Sequence, residues 1–115
     1  MIKIKNLREQ KPTQDWDIQV DRSSPLGNPF TMQQLTQADR NKVCDEYAEY
    51  FAVKLQQKDT TFMTELNRLI GIYKKFGMLN LFCWCAPQKC HAETIADYIT
   101  RVCHSTARIP TKKIS

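Results

Sequence analysis

The sequence lacks any apolar run approaching the ~20 residues that cross a bilayer, and its first residues, "MIKIKNLREQK", mix charges among the apolar ones. The first absence excludes a membrane-spanning helix. The second leaves no hydrophobic segment for a secretory signal and no acylation motif, so the expected location is the cytoplasm. No internal repeat is visible, and there is neither a Walker loop nor a dinucleotide-binding fingerprint. The five cysteines include no pair of Cys-x-x-Cys knuckles. Their odd number, without an export signal, favours reduced thiols over a disulfide framework.

What is present is an ordinary globular composition: 115 residues, 42% hydrophobic and 25% charged. A chain of that size should bury roughly two thirds of its unfolded surface around one core. Seventeen Lys and Arg against twelve Asp and Glu give +5, which favours anionic partners. Six of those cations, Lys3, Lys5, Arg8, Lys11, Lys112 and Lys113, lie near the ends, where basic residues serve solubility as readily as binding.

The patterning predicts strands over 2–7 ("IKIKNL") and 15–20 ("DWDIQV"), both alternating apolar and polar, with a Pro12-containing connection between them. "TQAD" at 36–39 has capping-box spacing, with Thr36 as N-cap. A helix of about twenty residues should follow, with Val43, Tyr47, Tyr50, Phe51 and Leu55 inward. A second begins near Asp59 or Thr60, where Phe62, Leu66, Leu69, Ile70, Tyr73 and Phe76 form a core-type stripe, and Gly77 suits its C-terminal cap. "MLNLFCW", 78–84, reads as a strand buried on both faces in the middle of a sheet. Ile95, Tyr98, Ile99 and Val102 mark a third helix, fading from about Thr106. The fold class is α/β: a small single-domain α/β sandwich over 1–105, a short sheet with about three helices packed on it, and a basic C-terminal tail over 106–115.

In such folds ligands gather at the carboxyl ends of strands. Two loops leave such ends, "DRSSPLGNPF" after the second strand and "CAPQKCH" after the third. The first has a shape fixed by Pro25 and Pro29, with Gly27 free to take φ > 0. It offers Arg22 as a bidentate clamp, the Ser23 and Ser24 hydroxyls, the Asn28 amide and the backbone near Gly27. A rigid turn with no ligand is the plain alternative.

The second is a cluster of thiols and imidazole with three readings. Cys83, Cys85, Cys90 and His91 are the right types for zinc, and Cys83 and Cys85 share one face of a strand. Alternatively, Cys90 and His91 lie in the first turn of the last helix, whose free N–H groups and dipole draw anions and depress a thiol pKa. That gives a phosphate pocket aided by Lys89, or a Cys90 nucleophile helped by His91, with Glu93 as a local base or first-turn stabiliser. The third reading makes Cys83 and Cys85, like Cys44 and Cys103, small buried hydrophobes and Cys90 an interior helix residue. His104 reads as a surface residue or a partner of the helix C-terminal dipole.

Together, "VDRSSPLGNPF" (20–30), "CWCAPQKCHAETIADYI" (83–99) and the "R..VCDEYAEYF" helix resemble a family of small bacterial and phage proteins catalogued as a domain of unknown function. The resemblance implies a compact α/β domain. It also implies that Arg22, Pro25, Gly27, Asn28, Pro29, Cys83, Trp84, Cys85, Pro87, Cys90 and His91 belong to the shared pattern, with no activity attached. Many relatives carry Gly directly after the Cys-His pair; here the residue is Ala92, whose methyl would hinder a ligand approaching the backbone there.

The leading expectation is a phage-type protein, a viral protein of the host cytoplasm, that binds a nucleotide-like or other phosphate-bearing small molecule between the 21–30 loop and the last helix, and sequesters it. Arg22, Ser23, Ser24, Gly27 and Asn28 hold one side, Lys89, Cys90 and His91 the other, and Trp84 stacks a ring. One alternative is a cysteine-dependent transferase or hydrolase using Cys90 and His91. Another is a zinc-stabilised nucleic-acid-binding module, for which no recognition-helix or single-strand motif is present. The oligomeric state is open.

Overall fold

The computed structural model describes residues 2–21, 23–30, 36–84 and 91–108, side chains of 105–108 excepted. Strand β1 (Ile2–Asn6) and strand β2 (Asp17–Gln19) precede helices α1 (Gln37–Gln57) and α2 (Thr60–Phe76); strand β3 (Leu79–Cys83) and helix α3 (Ala92–Arg108) follow.

Local chemistry sets most of these boundaries. The Thr36 hydroxyl accepts the Asp39 N–H and starts α1. Lys58 stops it in the left-handed conformation, φ 54°, with its N–H on the Leu55 carbonyl. Asp59 then caps α2 through the Phe62 N–H and pairs with Lys54 at 3.3 Å, so two residues join the helices. Gly77, at φ 71°, closes α2 as a glycine can without strain.

Strand β2 is shorter than its alternation predicts because Asp15 and Trp16 are drawn into a turn. The Asp17 carboxylate accepts the Thr13 and Gln14 N–H groups, both at 3.0 Å, and the Asp17 N–H donates to the Gln14 carbonyl. At the other end of the chain α3 runs to Arg108, past the point where its pattern fades.

The sheet has the order β1-β3-β2, and both outer strands run parallel to β3. The nearly all-apolar make-up of 78–84 is explained by that central place: every residue of β3 is buried. Leu79, Leu81 and Cys83 meet Ile18 and Val20 of the β2 segment, Tyr47 and Phe51 of α1, Phe62, Leu66 and Leu69 of α2, and Ile95 and Ile99 of α3 in one core. Each such side chain contributes roughly 1.5–3 kcal/mol when fully buried. Phe51 ties three helices, lying 5.1 Å from Phe62 and 5.4 Å from Tyr98 between ring centres. This is the small α/β domain the sequence predicts, with three helices on one short sheet. Among the described residues no helix is long and apolar enough to cross a membrane.

Candidate functional site

Because all three strands are parallel, the carboxyl ends of β2 and β3 lie side by side, and the two sequence motifs leave from them together. Register Gln19↔Phe82 puts Val20 and Asp21 beside Cys83 and Trp84, and the Val20 N–H continues the ladder onto the Phe82 carbonyl at 2.9 Å.

Two side chains tie the motifs. The indole N–H of Trp84 donates to Asp21 at 3.0 Å, and His91 Nε2 meets the Val20 carbonyl. A carbonyl only accepts, so His91 carries its proton on Nε2. The ring is 6% exposed and stands edge-on to Tyr47, centre to centre 5.0 Å. Tyr47 in turn donates its buried hydroxyl to the Leu26 carbonyl at 2.7 Å. A chain of contacts thus runs from the end of β2 through His91 and Tyr47 back into the 21–30 loop, whose Leu26 is a fully buried anchor.

Within that loop most polar groups fold the loop itself. Asp21 Oδ1 accepts both the N–H and the hydroxyl of Ser23. The Ser24 hydroxyl accepts the Leu26 N–H at 3.0 Å, and the Ser24 carbonyl accepts the Gly27 N–H at 2.9 Å. Asn28 Oδ1 accepts the Phe30 N–H. These are Asx- and Ser-type turns, and they occupy several donors that the sequence offers to a ligand. The Ser24 hydroxyl, accepting through its oxygen, keeps its own proton to donate. Gly27 is buried and donates its N–H into the turn.

Asp21 carries the electrostatics here. Burial, the largest single influence, pushes its pKa up, but hydrogen bonds from Ser23, Gln19 and Trp84 outweigh it and hold the carboxyl below its ordinary range. The residue is anionic at neutral pH, and any phosphate nearby depends on cations from elsewhere.

The sequence-predicted residues separate as follows. Trp84 stands at the site, half exposed at 50%; Ser23, Ser24, Gly27 and Asn28 form the loop described above. Arg22, Cys85, Lys89 and Cys90 lie outside the described residues. Cys83 is buried in the core, as the hydrophobe reading of it requires, and His91 is held by the Val20 carbonyl. Helix α3 begins at Ala92, with the His91 carbonyl accepting the Thr94 N–H at 3.0 Å, so His91 sits just before the first turn in which it was expected. The Ala92 side chain is fully buried in the core, so its methyl points away from any surface ligand. Glu93 lies in the first turn, where a carboxylate suits the helix dipole. Among the described residues no three His, Cys, Asp or Glu side chains gather as a metal set; two of the four zinc candidates, Cys85 and Cys90, fall outside that description. Cys44 and Cys83 are buried and Cys103 is partly buried.

Sequence reading missed Asp21, Leu26 and Tyr47. Their signals were present only in part: Leu26 is the lone large apolar residue between two prolines, whereas Asp21 reads as a solvated charge after a strand.

On the other flank of the loop an open groove of about 350 Å³ lies between β2, residues 23–25 and α2. Of its three charged residues, Arg68 forks onto Glu65 at 2.8 and 2.7 Å, and the Asp17 carboxylate accepts the Thr13 and Gln14 N–H groups.

The sequence model of the family described as "Domain of unknown function (DUF4326)" matches residues 4–101, which span the whole sheet but for its first two residues and most of α3. No curated protein and no solved structure matches the chain.

Proposed function

The chain belongs to the DUF4326 family, and on that premise we propose that it is a small binding protein that holds a nucleotide-like or other phosphate-bearing small molecule where the 21–30 loop meets the start of α3. The supporting observation is the pairing of Asp21 with Trp84 and of Val20 with His91, which draws both motifs to the carboxyl end of a parallel sheet. The loop is prearranged by its own turns, so binding requires little ordering of this segment. Arg22 and Lys89 supply the phosphate cations, the Ser24 hydroxyl a donor, and the net charge of +5 favours the approach of an anion. The role is sequestration in the cytoplasm, a host's where the gene is carried by a phage.

The test is calorimetric titration of the full chain with nucleoside mono- and triphosphates. Arg22→Ala should weaken binding at least about tenfold, as expected for a lost charge-assisted pair, while the thermal midpoint stays in place. Unchanged affinity refutes the assignment, and conversion of the nucleotide to product during the titration replaces sequestration with catalysis.

A further inference from the structure

A carboxylate has about four acceptor positions, and Asp21 uses four. Oδ1 takes the N–H and hydroxyl of Ser23; Oδ2 takes Gln19 Nε2 at 3.1 Å and Trp84 Nε1 at 3.0 Å. Asp21 therefore has no vacant position with which to grip a ligand hydroxyl. What it does is fix an indole. Trp84 is the residue immediately after β3, its one polar atom is tied down, and half of its surface is still open. An indole satisfied at its N–H needs no water for that atom, so the face it shows is purely a π surface.

Among the described residues that face is isolated. Among the described residues the other exposed large hydrophobics are Val53, inside α1, and Met78, at the opposite end of β3. Trp84 follows Met78 by six steps of extended chain, roughly 20 Å at ~3.3 Å per residue. A protein partner needs a broader apolar patch than one ring. One ring matches one ring. We infer that Trp84 is a stacking platform for a single planar ring of the bound molecule, and that Asp21 is the positioning residue that holds the platform at a fixed angle. The inference rests on the phosphate-site reading above and narrows it to ligands that carry phosphate and an aromatic ring together, the class of nucleoside phosphates.

The experiment uses the full chain carrying Trp16→Phe, so that Trp84 is the sole tryptophan. Its fluorescence is followed while adenosine, guanosine or uridine 5′-monophosphate is added, with ribose 5-phosphate and free adenosine as controls. Nucleotides should quench Trp84 and bind about tenfold tighter than ribose 5-phosphate, in line with one base stacked on one aromatic side chain. Trp84→Ala, which lacks the fluorophore and is titrated by calorimetry, should abolish that advantage and leave ribose 5-phosphate binding unchanged. Without any ligand, Asp21→Ala should lower the fluorescence anisotropy of Trp84 and cost a few-fold in nucleotide affinity; Asp21→Asn, which keeps an acceptor oxygen, should restore much of both.

Equal binding of ribose 5-phosphate and nucleotide overturns the platform while the phosphate site stands. Equal binding of adenosine and its monophosphate overturns the phosphate site while the platform stands. Unchanged anisotropy in Asp21→Ala overturns the positioning role, and failure of every probe overturns both readings.

Discussion

The two ends of strand β2 are built on the same device and put it to different use. At the entry, Asp17 accepts two backbone N–H groups from the preceding turn and the Asn80 amide of β3 at 2.8 Å. At the exit, Asp21 accepts from the following turn, from Gln19 and from Trp84 just beyond β3. Each carboxylate ties a connecting segment to the central strand. At the entry the tethered side chain is buried; at the exit it is half exposed. A tie to a buried amide is complete in itself, since Asn80 has found the partner that burial demands. A tie that holds a large apolar ring in water gains little stability from it, and that imbalance is what the proposed binding role of the exit accounts for.

The comparison can be broken most severely at His91. Its ring joins β2 to α3 and packs on Tyr47, so His91→Ala removes a buried hydrogen bond and leaves a void; a loss of about 3 kcal/mol in urea unfolding is expected. A loss under about 1 kcal/mol would make His91 peripheral to the fold and return it to consideration as a chemical group.

Next come the two aspartates, measured as a pair. Asp17→Ala leaves a buried amide and two backbone N–H groups without acceptors, and should cost about 2 kcal/mol, against about 1 kcal/mol for Asp21→Ala, whose partners reach water. Equal losses would dissolve the contrast between the two ends. Both carboxyls respond first to burial, which pushes their pKa up, and then to hydrogen bonds that together pull it below the ordinary value. A depressed folded pKa gives stability that is present above the ordinary carboxylate pKa, about 4, and lost as pH falls through the depressed value. Urea midpoints should therefore drop below about pH 4, and less steeply in either alanine variant.

The smallest effect is expected at the groove. Arg68 and Glu65 form an exposed pair three residues apart on α2, so Arg68→Ala should change stability by less than about 0.5 kcal/mol and leave nucleotide affinity alone. A loss of affinity there would move the binding site to the other flank of the loop.

What was legible in the sequence follows the range of the interactions. Helices α1 and α2 are announced by local signals, Thr36, Asp59 and Gly77, each acting within four residues of itself. The central place of β3 is legible because burial on both faces erases alternation. The site is different. Asp21 finds Trp84 across 63 residues and His91 finds the Val20 carbonyl across 71, and no periodicity encodes such partners. Residue type also misleads where a group serves its own neighbourhood: Ser23, Ser24 and Asn28 have the chemistry of ligand donors, yet each uses a side-chain oxygen on a partner two residues away. Likewise a histidine beside cysteines suggests metal or catalysis, whereas its Nε2 proton is held on a backbone carbonyl.

The strand order carries one more consequence. Strands β1 and β2 pair with β3 and not with each other, so during synthesis from the amino end both leave the ribosome before their common partner exists. Until Leu79 to Cys83 have emerged, no rung of the sheet can close, while the two helices between β2 and β3 already have their local stop and start signals. The nascent chain therefore carries two unpaired strands through most of its translation. Lys3 and Lys5 lie on one of them, outside the main core, and their charges oppose pairing of that waiting edge with the wrong chain.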